Sequence, residues 1–239
     1  MIRAVFVDID NTLISFDQAV IGAMTEGFPR LDIGRYEPGM EKTFNTVNQG
    51  LWEQMEKGEI DLDHIRAVRW NRVLKALSLT GDGPLMEDYF RSYLWDHAHP
   101  MDGALALLRF LNAQGLPVCA ASNGPTAQQE HRLLISGMRP MLTAVYASEA
   151  LGVSKPDPLF FKKALADLNA RVPAPPIRPG EVLMLGDSLT SDIKGGAGCG
   201  MRTCWLNLNG APLREGLPKP DMTVQSLFAL ISQQEWMSL

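Results

Sequence analysis

Residues 2–12 read IRAVFVDIDNT. The run from Ile2 to Val7 is short, largely apolar and β-branched at three positions. It is apolar on both alternating faces, the pattern of a strand buried on both sides in a parallel sheet. Asp8 then interrupts it, and Asp10 and Thr12 follow within four residues. The same device recurs along the chain. Apolar runs at 117–121 (PVCAA), 143–147 (TAVYA), 182–186 (VLMLG) and 203–207 (TCWLN) alternate with helix-like segments at 102–114, 125–136, 158–170 and 190–198. Asp102-Gly103 and Gly115 supply start and stop signals around the first of these helices. Strands alternating with helices over short links predict an α/β fold: a doubly wound parallel, Rossmann-like sheet.

From residue 17 to 96 the rhythm changes. No buried strand is legible there, while helix-period segments fall at 16–27, 40–56, 61–77 and 84–95, punctuated by Gly58 and by Gly81-Asp82-Gly83-Pro84. This predicts a helical insertion at 17–96 in a core formed by 1–16 and 97–239. The length agrees: 239 residues at roughly 150 per domain make about one and a half domains. Pro173 to Pro179 (PAPPIRP) reads as a stiff connector into the strand at 182.

Charge and composition exclude some partners. With 22 Lys and Arg against 27 Asp and Glu the net charge is −5, which argues against a nucleic-acid polymer. The three cysteines, Cys119, Cys199 and Cys204, are too few and too irregular for a disulfide framework, which points to a reducing compartment. No apolar stretch reaches the ~18 residues that suggest a membrane span. A soluble, cytoplasmic monomer or homodimer without a membrane partner is the expectation.

Every informative polar cluster follows a predicted strand or a short loop after one: Asp8-Ile9-Asp10-Asn11-Thr12, then Ser122-Asn123-Gly124, then Ser154-Lys155-Pro156-Asp157, then Gly186-Asp187-Ser188 with Asp192. In an open parallel sheet these strand ends share one edge, where ligands bind. Asp8, Asp10, Asp187 and Asp192 would then converge. Two unit charges 4 Å apart repel by roughly 4 kcal/mol at an effective dielectric near 20, and Lys155 alone does not balance four carboxylates. An all-oxygen donor set of this kind suits Mg²⁺, with Asp8 and Asp187 as the leading ligand candidates.

The order DxDxT, SNG, a lone Lys before Pro, and GDSxxxD resembles the haloacid-dehalogenase-like hydrolase superfamily, from Asp8 to Asp192. Asn11 departs from the pattern, standing where many relatives have Gly. The resemblance implies roles. Asp8 would be the nucleophile that forms an aspartyl-phosphate, and Asp10 the general acid and then base, with its backbone carbonyl also reaching the metal. Ser122 and the Asn123 amide would hold phosphoryl oxygens, and Lys155 would neutralise charge. Asp187 and Asp192 would serve the metal, and Thr12 would support the loop and the phosphate. An acid at position 10 favours a phosphatase over a dehalogenase, because a departing halide needs no proton. LISFDQA after the first motif and CWLNLNG in the last strand are similar to a subgroup of pyrimidine nucleoside-monophosphate 5′-phosphatases. The implied activity is Mg²⁺-dependent hydrolysis of a small phosphate monoester, with residues 17–96 as a helical cap. A sugar-phosphate phosphatase or phosphomutase of the same superfamily is the alternative, and a non-enzymatic phospho-acceptor fits the length poorly.

Other features carry less. Gly195-Gly196-Ala197-Gly198-Cys199-Gly200 follows a helix and precedes a strand, the reverse of a dinucleotide loop, and reads as a helix stop and turn. His97 and His99 beside Pro100 read as loop residues, and Cys199 and Cys204 as core. In the insertion, Trp52, Trp70, Trp95, Phe44 and Tyr36 offer flat surfaces for a base, against core packing as the plainer reading. Arg66 and Arg69 offer charge for a polar substrate edge, against solvated charge as the plainer reading.

Overall fold

The computed structural model describes all residues from 1 to 239. The chain divides into two compact units, Met1–Ile14 with Pro100–Leu239, and Ser15–His99. In chain order the elements are β1 (Ala4–Val7), α1 (Phe16–Arg30), α2 (Met40–Glu56), α3 (Leu62–Ala76), α4 (Gly83–Asp96), α5 (Ala104–Ala113), β2 (Val118–Ser122), α6 (Thr126–Ile135), β3 (Ala144–Ala147), α7 (Ser148–Leu151), α8 (Pro158–Arg171), β4 (Val182–Gly186), α9 (Lys194–Gly198), β5 (Arg202–Leu206), β6 (Met222–Val224) and α10 (Leu227–Ser232).

The first unit is a six-stranded sheet in the order β3-β2-β1-β4-β5-β6, parallel throughout. The doubly wound sheet expected from the sequence is present. β1 lies in the middle, with Val5 opposite both Val118 and Leu183. All four of its residues are buried, which is why its sequence shows no polar alternation. On one face Phe6, Cys119, Ala121, Tyr146 and Met184 pack against Phe160, Phe161, Ala164 and Leu168 of α8. The chain leaves β1 towards β2 on one side and returns through β4 on the other. The gap between the carboxyl ends of β1 and β4 is therefore the topological switch point, where ligands bind in such sheets.

Local signals set the helices near that edge. Asp157 accepts from Leu159 N at 2.8 Å, and Pro158 opens α8, an N-cap followed by proline at the first turn. The proline-rich connector is held by Arg3, whose guanidinium donates to the carbonyls of Pro175 (2.8 Å) and Pro176 (3.3 Å). Two details differ from expectation. β6 is a sixth strand, but three residues at a sheet edge are too few to leave a periodicity. The segment expected as one helix at 190–198 is a π-helical turn at Leu189–Ile193 running into α9. The glycines there serve packing: a Cβ on Gly195 would sit 2.4 Å from Phe161 and 3.0 Å from the Pro156 Cα.

The second unit is helical. Ser15, Asp61 and Asp82 cap α1, α3 and α4 through their side chains. Its core holds Phe28, Phe44, Trp70 and Phe90, with Trp70 5.0 Å from Phe44 and 5.5 Å from Phe90 between ring centres. Phe44 and Trp70 are thus sealed in packing and offer no flat surface to a base. Arg69 corrects the reading of a solvated charge. It is buried, donates to both Glu87 oxygens (3.1 and 2.6 Å) and to Asn48 (3.0 Å), and lies over the Phe90 ring. His97 stacks on Tyr93 at 3.9 Å. No helix of the chain is long and apolar enough to cross a membrane.

Candidate active site

The sheet carries Asp8 one residue past β1, where its N–H still bonds the Leu185 carbonyl of β4 (2.9 Å). The loop after it is wound tightly: Thr12, Leu13 and Ile14 all donate their N–H to the Ile9 carbonyl, and Asn11 N donates to Ile14 O at 2.7 Å. Asn11 has φ +56°. This left-handed conformation suits glycine and, next best, asparagine, so the departure at this position keeps the loop geometry. Thr12 is fully buried, and its Oγ1 has no hydrogen-bond partner.

Lys155 ties the edge together. Buried at 2% exposure, its Nζ donates to Asp8 Oδ1 (2.6 Å), Asp192 Oδ1 (2.6 Å) and the Ala121 carbonyl (2.7 Å). All three protons of the ammonium are used. Asn123 fixes the lysine's backbone reciprocally: Lys155 N donates to Asn123 Oδ1 (2.8 Å), and Asn123 Nδ2 donates to Lys155 O (2.9 Å). The Asn123 side chain thus has a job beyond the amide contact that the motif suggested. Ser122 ends β2. Its Oγ accepts from Gly124 N (3.0 Å) and Gln129 Nε2 (2.8 Å), which leaves its own proton free to donate.

After β4, Asp192 is fully buried and accepts from Ser188 N through Oδ2 at 3.1 Å. Gly186 makes room for it, since a Cβ there would lie 2.1 Å from Asp192 Oδ2. The Asp187 carbonyl accepts from the Trp205 indole at 2.8 Å, fixing the backbone that presents the Asp187 carboxylate. Asp8, Asp187 and Asp192 lie together, one oxygen from each within 4.8 Å of the others. The Asp10 carboxylate does not join them. It turns to α6, where Gln129 Nε2 donates to Oδ2 (2.6 Å) and Arg132 Nη1 to Oδ1 (2.5 Å).

Three carboxylates face one ammonium, a formal excess of two negative charges. The protonation equilibria register the shortage. Burial pushes the Asp8 carboxyl up to about 7, with Asp192 and Asp10 adding to the rise and Lys155 opposing it. Asp187 is held well above the usual carboxylate range, by burial first and then by Asp8 and Asp192. Burial works against the charge on Lys155, but Asp192 and Asp8 outweigh it and raise the pKa. An anionic, oxygen-only pocket with too little positive charge fits a small hard cation.

Sequence reasoning missed Gln129, Arg132 and Trp205. Gln129 and Arg132 lie three apart on the helix that follows Ser122, so they share a face. Polar side chains on a face meant for the core are the signal that could have found them. Trp205 sits in a strand and reads as core.

A lysine-bridged group of carboxylates at the switch point of a doubly wound parallel sheet defines the class. Comparison with known proteins names its family. A family model described as haloacid dehalogenase-like hydrolase matches residues 2–200. The pyrimidine 5′-nucleotidase YjjG of Escherichia coli is 31% identical over 234 residues, covering 95% of each chain. The pyrimidine 5′-nucleotidase PynA of Streptococcus pneumoniae is 31% identical over 200 residues, 84% of this chain and 81% of its own. Among solved structures, the HAD-hydrolase YfnB of Bacillus subtilis, crystallised with magnesium, superposes with a TM-score of 0.84 at 28% identity, covering 100% of this chain and 99% of that one. The chain belongs to the haloacid dehalogenase-like hydrolase family.

Proposed function

We propose that this hydrolase is a Mg²⁺-dependent phosphomonoesterase that works through an aspartyl-phosphate on Asp8, with pyrimidine nucleoside 5′-monophosphates as its substrates. The observation that carries the chemistry is the grouping of Asp8, Asp187 and Asp192, two of them bonded to Lys155 Nζ, with the Ser122 hydroxyl at the end of the adjoining β2 and the Asp10 carboxylate in the loop after β1. The substrate class rests on the two relatives named as pyrimidine 5′-nucleotidases.

Asp8, Asp187 and Asp192, with the Asp10 backbone carbonyl, would hold Mg²⁺, which when bound neutralises phosphoryl charge and aligns the transferring group. An Asp8 carboxylate oxygen attacks phosphorus as the ester P–O bond breaks, and the leaving oxygen takes a proton from Asp10. Water then attacks the same phosphorus and gives its proton to Asp10. The bond from phosphorus to Asp8 breaks, and inorganic phosphate leaves. Lys155 offsets charge on Asp8 and on the transferring group. Ser122 donates its free hydroxyl proton, and the Asn123 backbone its N–H, to phosphoryl oxygens. Thr12 belongs to the loop that presents Asp10. The helical unit, residues 15–99, acts as the cap that selects the leaving group.

Asp8→Asn abolishes turnover of every phosphate ester under this reading, and activity near wild type refutes it. A panel of nucleoside monophosphates and sugar phosphates, scored by kcat/KM with Mg²⁺, tests the substrate class. Sugar phosphates ahead of every nucleotide by about tenfold, or ~1.4 kcal/mol of transition-state binding, overturn the nucleotidase assignment.

A further inference from the structure

The Asp10 carboxylate is gripped from behind by one helix. Gln129 Nε2 holds Oδ2 at 2.6 Å and Arg132 Nη1 holds Oδ1 at 2.5 Å, while Gln129 Oε1 accepts from the same Arg132 Nη1 at 3.0 Å. The Arg132 side chain is 2% exposed and the Asp10 side chain 33%, so the carboxylate faces the accessible side with the guanidinium sealed beneath it. Each carboxylate oxygen still has a lone pair to spare. Gln129 also reaches Ser122 Oγ at 2.8 Å, which links the two groups through one amide.

Two further features set this cluster apart from ordinary packing. Arg132 Nε and Nη2 are buried without a hydrogen-bond partner. Buried unsatisfied donors destabilise a fold, so this arginine is poorly explained as a stabilising residue. Gly124, in the SNG motif, has room for no side chain: its Cβ would lie 2.3 Å from Gln129 Nε2. The glycine keeps open the space that the Gln129 amide occupies.

We infer that Gln129 and Arg132 are positioning residues that hold the Asp10 carboxylate in line for proton transfer to the leaving oxygen. The inference rests on the phosphomonoesterase reading and adds to it a role for α6. A proton delivered by Asp10 matters most for a poor leaving group, so misplacing Asp10 has an effect that depends on the ester. Phenyl phosphate and 2,4-dinitrophenyl phosphate present similar rings, but the dinitrophenolate leaves without needing a proton.

The test uses the full chain with saturating Mg²⁺ and compares kcat/KM for the two esters, since kcat/KM reports the steps up to phosphoryl transfer. In R132M and Q129L, phenyl phosphate falls by about tenfold or more, a small part of what general acid catalysis supplies. Dinitrophenyl phosphate changes by less than about threefold in the same variants. R132K restores part of the loss by returning one donor, and G124A reproduces the pattern by displacing Gln129. Melting temperatures taken alongside separate folding from function. Equal losses on both esters, or no loss on phenyl phosphate, overturn the inference. If R132M does not fold, Arg132 is a structural residue, and Q129L with G124A must then show the split for the role of α6 to survive. A wild-type chain that cleaves neither these esters nor any nucleoside monophosphate refutes the phosphomonoesterase reading itself, an outcome seen before any variant is made.

Discussion

Replacing Lys155 by methionine tests the charge balance of the site. The side chain is close in length, so packing changes little, but three donors and one positive charge disappear. The lost bonds run to Asp8 and Asp192 at 2.6 Å each and to Ala121 O at 2.7 Å. Breaking a buried ion pair by removing one partner costs about 3–5 kcal/mol. At ~2–4 °C per kcal/mol for a chain of this size, the melting temperature should fall by roughly 6–20 °C. The loss should also depend on pH. Burial already pushes the Asp8 carboxyl up to about 7 in the folded protein, above the ordinary unfolded carboxylate. Protonation of Asp8 therefore favours the folded state at low pH, and that contribution is lost as pH rises through about 7. Lys155 opposes the rise of the Asp8 pKa, so without it the pKa moves higher still. At pH 6 a proton stands in for the missing ammonium. At pH 8 the variant must bear the charge or hold the proton against a gradient of about 1.4 kcal/mol per pH unit. Thermal unfolding in EDTA at pH 6 and pH 8 measures both numbers, and added Mg²⁺ should narrow the difference at pH 8. A variant as stable as wild type, or equally destabilised at the two pH values, refutes the charge-balance argument.

Two other outcomes follow from packing and burial. Gly186→Ala drives a methyl to 2.1 Å from Asp192 Oδ2, so Asp192 must leave its bonds to Lys155 and Ser188. The expected cost is about 1–3 kcal/mol in chemical denaturation, with a weaker apparent affinity for Mg²⁺ by titration, and an unchanged affinity speaks against Asp192 as a metal-site residue. Burial pushes the Cys119 and Cys204 thiols up to about 12, so a disulfide reagent at neutral pH should leave both untouched in the native chain and modify them only after denaturation. Rapid modification of Cys204 in the native protein contradicts that burial.

The parallel sheet was legible because it leaves its mark locally. A strand buried on both faces must be apolar throughout, and a parallel connection needs a helix, so Ala4–Val7, Val118–Ser122 and Val182–Gly186 stand out between helical stretches. The candidate site was legible for a related reason: Asp8 and Asp187, which end apolar runs, have one place to go in such a sheet. β6 escaped because three edge residues impose no pattern. The readings of residues 17–96 were weakest on burial, for Arg69 looks like any surface arginine until Glu87, 18 residues away, is seen to accept from its Nε and Nη2. A charge in sequence does not disclose whether a partner waits in the fold.

The same reasoning explains why the residues that act on the carboxylates were harder to read than the carboxylates themselves. Asp10 meets Gln129 and Arg132 across 119 and 122 positions of chain, contacts that only the folded sheet creates. Their other marker is a missing atom. Gly124 and Gly186 both lack the Cβ that would strike Gln129 and Asp192, yet in sequence one is simply part of a polar cluster and the other the end of the apolar run at 182–186. Backbone freedom does not account for either, because neither has the positive φ that favours glycine. What each position requires is room for a neighbouring functional side chain. Substituting alanine at these two sites therefore displaces a carboxylate or its holder while leaving the backbone conformation accessible, which separates position from chemistry more cleanly than replacing the carboxylates does.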